Sequence, residues 1–279
     1  MVPENPTPDE IMVFCIARQL QDGEVVAQGI ATPLVAAAYL LAHLTHAPNL
    51  YFASAIGQSI CRQPARMGIT HIERLWLDLT LTNTTFVRVV TEILPSLRPK
   101  EFFRPGQMDP NGNTNNIAFG KNYQRPRMRM PGTGGIPDVT PFLGLIYLYV
   151  PRHSRVTFVP TLDICSGIGH NPARRMGQGP AYLITNLGQF DFANGQMRLT
   201  TVHPGVTPEQ IQAHTGFPLE VAPDLHETPL PSPAELRLLR EQVDPLSIRR
   251  LETLSGSERR QHLRQILTQE RHIVADGLQ

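Results

Sequence analysis

The chain predicts an α/β fold, an open and mostly parallel sheet flanked by helices with a helical tail added at its C-terminus. Two observations carry this expectation. Near the N-terminus a helix, a short apolar strand, an alanine-rich helix and a second strand follow one another, and a strand–helix–strand order implies parallel strands joined by a right-handed crossover. A length of 279 residues then suits one large α/β domain or two small ones, with ample material for a buried core.

The elements can be justified in order. Thr7-Pro8-Asp9-Glu10 is a helix start: a hydroxyl N-cap, proline in the first turn, then acids at the positive end of the dipole. Ile11, Phe14, Cys15 and Ala17 follow at helical spacing, and Asp22-Gly23 ends that run. Residues 24–30 read as a short buried strand, Thr32-Pro33 opens a helix over 34–44, and residues 49–54 read as the next strand. A helix is expected over 84–97, and strands over 145–150, 155–159 and 161–165. Residues 182–192 and 196–202 alternate around Ala193-Asn194-Gly195, a hairpin signal. Helices are expected from Thr207 to Gly216 and over 233–243. From 251 to 279 the composition turns charged, with Leu263, Ile266 and Leu267 at helical spacing, so residues 1–250 are expected as one domain and 251–279 as an extension.

Composition excludes several function classes. Lys plus Arg number 25 and Asp plus Glu 24, a balance that gives no reason to expect nucleic acid. Basic clusters at 121–129 and at Arg174-Arg175 read as solvated surface or as contacts for phosphates or a partner. Three cysteines without metal-site spacing fit free thiols in a reducing compartment. The N-terminus carries no basic and apolar signal pattern, and the longest apolar stretch, 32–44, is too short for a membrane helix; a cytoplasmic, soluble protein is expected. HExxH, CxxC, the P-loop and the full dinucleotide fingerprint are all absent, so no metal and no bound cofactor is expected.

The most informative stretch runs from Asp109 to Asp138. Asp109-Pro110-Asn111-Gly112-Asn113 is a dense turn signal. Gly132-Thr133-Gly134-Gly135 is a bare loop whose unhindered N–H groups could point at an anionic oxygen. Alone, each is more often an ordinary tight turn.

Together, in this order and spacing, the two loops resemble the β subunit of family I coenzyme A transferases, of the glutaconate CoA-transferase type. The resemblance extends to Asp22-Gly23-Glu24-Val25-Val26, Thr32-Pro33-Leu34 and Ala47-Pro48-Asn49, and to His203-Pro204-Gly205-Val206-Thr207, Thr215-Gly216-Phe217 and Asp244-Pro245. It covers roughly residues 8 to 250 and leaves the tail outside. It implies a Rossmann-like fold, a coenzyme A thioester as substrate, and a homologous α subunit completing the site, in an α2β2 assembly. It also implies that Gly134 and Gly135 supply the oxyanion amides, with Gly132, Thr133 and Asn113 on the substrate.

In that family a β-subunit glutamate after the second strand attacks the acyl-CoA, a step that suits a desolvated carboxylate. Counting from Ala47-Pro48-Asn49, the matching triplet here is Ala55-Ile56-Gly57. The nucleophile position is alanine, and no aspartate or glutamate lies between Glu24 and Glu73. Three readings remain open. The chain belongs to a hydrolase, lyase or decarboxylase branch, as cholesterol ring-opening CoA hydrolases and a glutaconyl-type decarboxylase do. Alternatively it is a true transferase whose carboxylate comes from the α subunit, or a non-catalytic structural subunit. The first ranks highest, because the rest of the site-forming sequence has not decayed.

Other groups could serve at the site. Ser54 neighbours the vacated position, Cys61 is nucleophilic in type, and His71 and His170 are candidate bases. For each, the ordinary structural role of its residue type carries the greater weight.

Overall fold

A computed structural model describes residues 5–141 and 143–277, and these fall into two compact units. The first joins the N-terminal 86 residues to the segment from Leu230 onward; the second is Val87–Pro229. The segment that includes the C-terminal helix belongs to the first unit. Residues 278 and 279, and the side chain of every residue from 272 on, lie outside the described residues.

In the first unit, helix α1 (Pro8–Ala17) is buried along nearly its whole length, because its residues are apolar on every side apart from Asp9 and Glu10. Glu10 reaches back to accept the Thr7 amide at 2.8 Å, half of a capping box. Strand β1 (Val25–Gln28) pairs in parallel with β2 (Tyr51–Ser54) across helix α2 (Pro33–Leu44), as the sequence predicts. The small side chains of Ala36, Ala37, Ala38 and Ala42 are buried, and Tyr39 Oη donates to the Ala27 carbonyl at 3.0 Å. The buried first turn of α2 is satisfied from far along the chain, where Glu252 accepts the Leu34 amide at 2.9 Å.

Two antiparallel strands, β3 (Ser59–Cys61) and β4 (Thr80–Asn83), extend this sheet beyond β2, and helix α3 (Ile72–Asp78) lies between them in sequence. Neither β4 nor α3 was expected from the sequence. A buried charge cluster ties the ends of the unit together. Arg249 meets Asp9 at 2.8 Å, Glu10 at 3.0 Å and Asp244 at 2.9 Å, while Arg240 meets Glu10 at 2.6 Å.

In the second unit the strand Ile146–Val150 pairs in parallel with β5 (Lys100–Phe103) on one side and with Pro180–Thr185 on the other. The sheet continues antiparallel through Gly188–Asp191 and Arg198–Val202, then parallel to Glu220–Glu227. Its core gathers Phe103, Met108, Leu148, Phe158, Leu183, Phe190 and Leu199. The expected long strand over 182–192 is two strands, because Thr185 Oγ1 accepts the amides of Leu187 and Gly188 and folds the chain back there. The strands expected over 155–159 and 161–165 are corrected. Ser154 accepts from the amides of Thr157 and Phe158 and makes a turn, so the first segment keeps only an isolated parallel bridge from Phe158 to Met108. Among the described residues, no helix is long and apolar enough to cross a membrane.

Candidate active site

Strand β2 ends at Ser54, and Ala55 begins the four-residue turn that returns the chain as β3. Ala55 has ordinary helical backbone angles, and its amide donates to the Gln28 carbonyl at 2.9 Å, so its place at the carboxyl end of β2 is fixed. The turn closes through Gly57 (φ 70°) and Gln58 (φ 47°). A left-handed glutamine is strained, and the turn is held from outside: Asn83 Nδ2 donates to the Gly57 carbonyl at 3.1 Å, and the Thr84 amide to that of Gln58 at 3.1 Å.

Ala55 faces an open cavity of about 420 Å³, lined also by Gly57, Gln58, Glu73, Asn83, Thr84 and Thr85. The Thr84 hydroxyl is buried and without a partner among the described residues. Glu73 stands in the first turn of α3, whose backbone and Leu77 pack beside Gly57. Sequence reasoning stopped at Glu73 as the nearest acid in the chain; the fold brings it to the wall of the Ala55 cavity. One signal could have found α3: Ile72, Leu75, Trp76 and Leu79 recur at helical spacing.

The expected alternatives to a nucleophile are spent on structure. Ser54 Oγ accepts the Ile56 amide at 3.2 Å, and the residue is buried. Cys61 is fully buried, with its thiol toward the Trp76 carbonyl at 3.7 Å. His71 is exposed at the N-cap of α3 and lines a different cavity of this unit.

In the second unit, the glycine loop has the form expected of a bare backbone turn. Gly132, Gly134 and Gly135 take φ values of 112°, 57° and 88°, and a side chain at Gly132 or Gly134 would meet open space. Thr133 accepts the Ile136 amide through its carbonyl, and Gly135 caps the short helix Ile136–Val139. Among the described residues the amides of Thr133, Gly134 and Gly135 donate to no protein acceptor. Successive unpaired amides of this kind form a concave donor surface for an anion or a developing oxyanion.

The Asp109 turn is a structural knot. Asp109 Oδ1 accepts the amides of Asn111 and Asn113, each at 3.0 Å, and Oδ2 accepts Asn113 Nδ2 at 2.8 Å. Burial raises the Asp109 pKa, against the lowering effect of those bonds. Gly112 (φ 71°) packs so closely that a Cβ there would collide with Pro180 and Phe192.

Asn113 and His170, expected at the substrate, both hold hydrogen bonds within the chain. Asn113 is buried, and its Oδ1 accepts the Gly169 amide at 2.9 Å. His170 Nε2 donates to the Pro180 carbonyl at 2.6 Å, and its ring fills the space left by Gly179 and Gly195. Arg174 is likewise occupied, donating to the carbonyls of Ile168, Gly169 and Met176. These are polar groups closing loops, which local sequence cannot distinguish from polar groups awaiting a ligand.

No model of a known protein family matches the chain. Individual proteins do. The IpdB subunit of the cholesterol ring-cleaving hydrolase of Rhodococcus jostii is 33% identical over 237 residues, covering 81% of this chain and 88% of that protein. The β subunit of glutaconate CoA-transferase from Acidaminococcus fermentans is 29% identical over 260 residues, covering 86% and 94%. Among solved structures, the decarboxylase AibA/AibB superposes with a TM-score of 0.76 at 30% identity, over 87% of this chain and 97% of that one.

Proposed function

We propose a reaction for this chain from the premise that it belongs to the family I coenzyme A transferases, as a β subunit: chemistry at the CoA thioester of a dicarboxylic or oxo acid, without a covalent acyl-enzyme. The observation that carries the reading is Ala55, a methyl group at the head of the β2 turn, facing a cavity of about 420 Å³. A CoA-transferase must hold the CoA on a side-chain carboxylate, as a thioester, while the first acid departs, and a methyl group cannot hold it. Hydrolysis, C–C cleavage and decarboxylation need no such carrier. In C–C cleavage and decarboxylation the electron pair of the breaking bond is delocalised onto the thioester oxygen; in hydrolysis, water adds to the carbonyl and the same oxygen takes the charge. Backbone donors such as the free amides of Gly134 and Gly135 suit that oxygen in every case.

The relatives named as a hydrolase subunit and as a decarboxylase support this branch over transfer. A true transferase with its carboxylate supplied by an α subunit is the second reading, favoured by the glutaconate CoA-transferase likeness. In either case the chain works with a homologous α subunit, in an α2β2 complex that light scattering on the co-expressed pair would register.

The test is to co-express both subunits, screen CoA esters by mass spectrometry, and trap with hydroxylamine during turnover. The expected result is hydrolysed, cleaved or decarboxylated product with this chain's mass unchanged. Ala55→Glu is expected to gain a trace of CoA transfer. An acyl or CoA adduct on the wild-type chain would overturn the reading.

A further inference from the structure

The tail helix Gly256–Gly277 buries one stripe of its surface, and the stripe contains a misfit. His262, Leu263, Ile266, Leu267 and Glu270 recur at the spacing of one helix face and are buried or half-buried, while Arg264, Gln265, Thr268 and Gln269 are exposed. Glu270 thus puts a carboxylate, 8% exposed, where the pattern calls for an apolar side chain. A buried carboxylate is costly unless its oxygens are taken up by donors. Here they are. Oε1 accepts the Ile69 amide at 2.6 Å, and Oε2 accepts the Thr70 amide at 2.9 Å and the Thr70 hydroxyl at 2.7 Å.

What those bonds hold is the segment that leads directly into α3. His71 caps that helix without a side-chain bond, so its entry is not fixed locally. From there α3 carries Trp76 against Phe52 of β2, and Glu73 and Leu77 against Gly57, beside Ala55. The tie to the tail is polar rather than packed. A cavity of about 260 Å³ lies beside it, lined in part by Arg66, Thr70, His71, Asp244 and Glu270.

We propose that Glu270 is a positioning residue: through Ile69 and Thr70 the tail helix latches α3 and so sets the wall of the Ala55 cavity. Releasing the latch lets α3 move away from Gly57, which reshapes that cavity and uncovers Cys61. Its bearing on catalysis rests on the Ala55 cavity being the reaction site, as proposed above; the latch itself does not.

Two substrate-free readings on the full-length chain test it. Trp76 is the only tryptophan, so acrylamide quenching of its emission reports the seating of α3. In a Cys165→Ser background the alkylation rate of Cys61 reports the same seating, because Cys61 is buried with its thiol toward the Trp76 carbonyl of α3 while Cys15 is buried elsewhere. Glu270→Ala removes all three bonds and is expected to raise the alkylation rate by about tenfold or more, since one bond to a charged group already carries that scale, and to raise quenching of Trp76. Glu270→Gln, which keeps an acceptor oxygen, is expected to restore most of the shielding. A folded Glu270→Ala with both readings unchanged would overturn the proposal. Should that variant fail to fold, Thr70→Val, which removes only the hydroxyl bond, decides by the same readings: a faster alkylation supports the latch and an unchanged one refutes it. If the latch holds but no CoA ester is turned over by the complex, the functional reading fails alone.

Discussion

The hydroxyl of Ser54 accepts the amide of Ile56 at 3.2 Å, across Ala55 at the head of the turn. The side chain beside Ala55 therefore helps to build the turn.

Ser54→Ala follows from that relationship. It should cost about 1 kcal/mol of stability, the usual net value of one hydrogen bond, and leave turnover of the co-expressed complex within a few-fold of wild type. Urea denaturation and steady-state kinetics measure the two. Loss of turnover in a well-folded variant would mark Ser54 as the nucleophile instead.

The glycine loop gives a second prediction. At Gly134 a methyl group meets open space but must sit at φ 57°, a strain of about 1–2 kcal/mol. If the amides of Gly134 and Gly135 hold the thioester oxygen, Gly134→Ala and Gly135→Ala should lower kcat by about 10²–10³ while the complex stays folded. Thermal midpoint and turnover, measured together, separate the effects. Full turnover in folded variants would remove the loop from the mechanism.

Acid should destabilise the second unit through two buried histidines. His153 Nε2 donates to Thr215, whose own hydroxyl donates to Ile211, and its ring stacks on Phe158 at 3.9 Å. Burial first, and the charge of nearby His214 second, push its pKa down to about 3. His203 Nε2 donates to the Thr185 carbonyl, and burial pushes its pKa down to about 4. Both folded values lie below the unfolded value of about 6.5, so the unfolded chain binds more protons in this window. Stability is then full above pH 6.5 and is lost as pH falls toward 4 and 3. Urea midpoints should fall across that window, and less steeply in His203→Gln. An equal slope in the variant would exclude His203 as a contributor.

The Arg249 cluster sets the fourth expectation. Three carboxylates converge on a guanidinium that is 3% exposed, and burial, the largest influence, already raises the Asp244 pKa. Arg249→Met would leave Asp9 and Asp244 buried without a counter-charge and should cost about 3–5 kcal/mol. Arg249→Lys should recover part of this, since an ammonium keeps the charge but cannot fork between acids. A Met variant as stable as wild type in urea would show that the cluster contributes no net stability.

The sequence by itself determined the elements whose signals are local. Thr7-Pro8 and Thr32-Pro33 start helices where they stand, the alanines of residues 36–38 allow α2 to pack closely, and Ala193-Asn194-Gly195 turns a hairpin. It also determined that no carboxylate occupies position 55, and that a glycine loop lies at 132–135. Tertiary structure alone decided which polar groups are spent. Asn113 and His170 look as available in sequence as any site residue, and each is bonded to a partner that only the folded chain supplies. It alone placed Glu73 on the Ala55 cavity, and it joined Glu270 to Thr70 across a separation of 200 residues. Helix starts and turns are governed by backbone preferences within a few residues, so they can be read along the chain. Hydrogen-bond satisfaction and cavity walls depend on which distant segments the core brings together, and no local pattern encodes that.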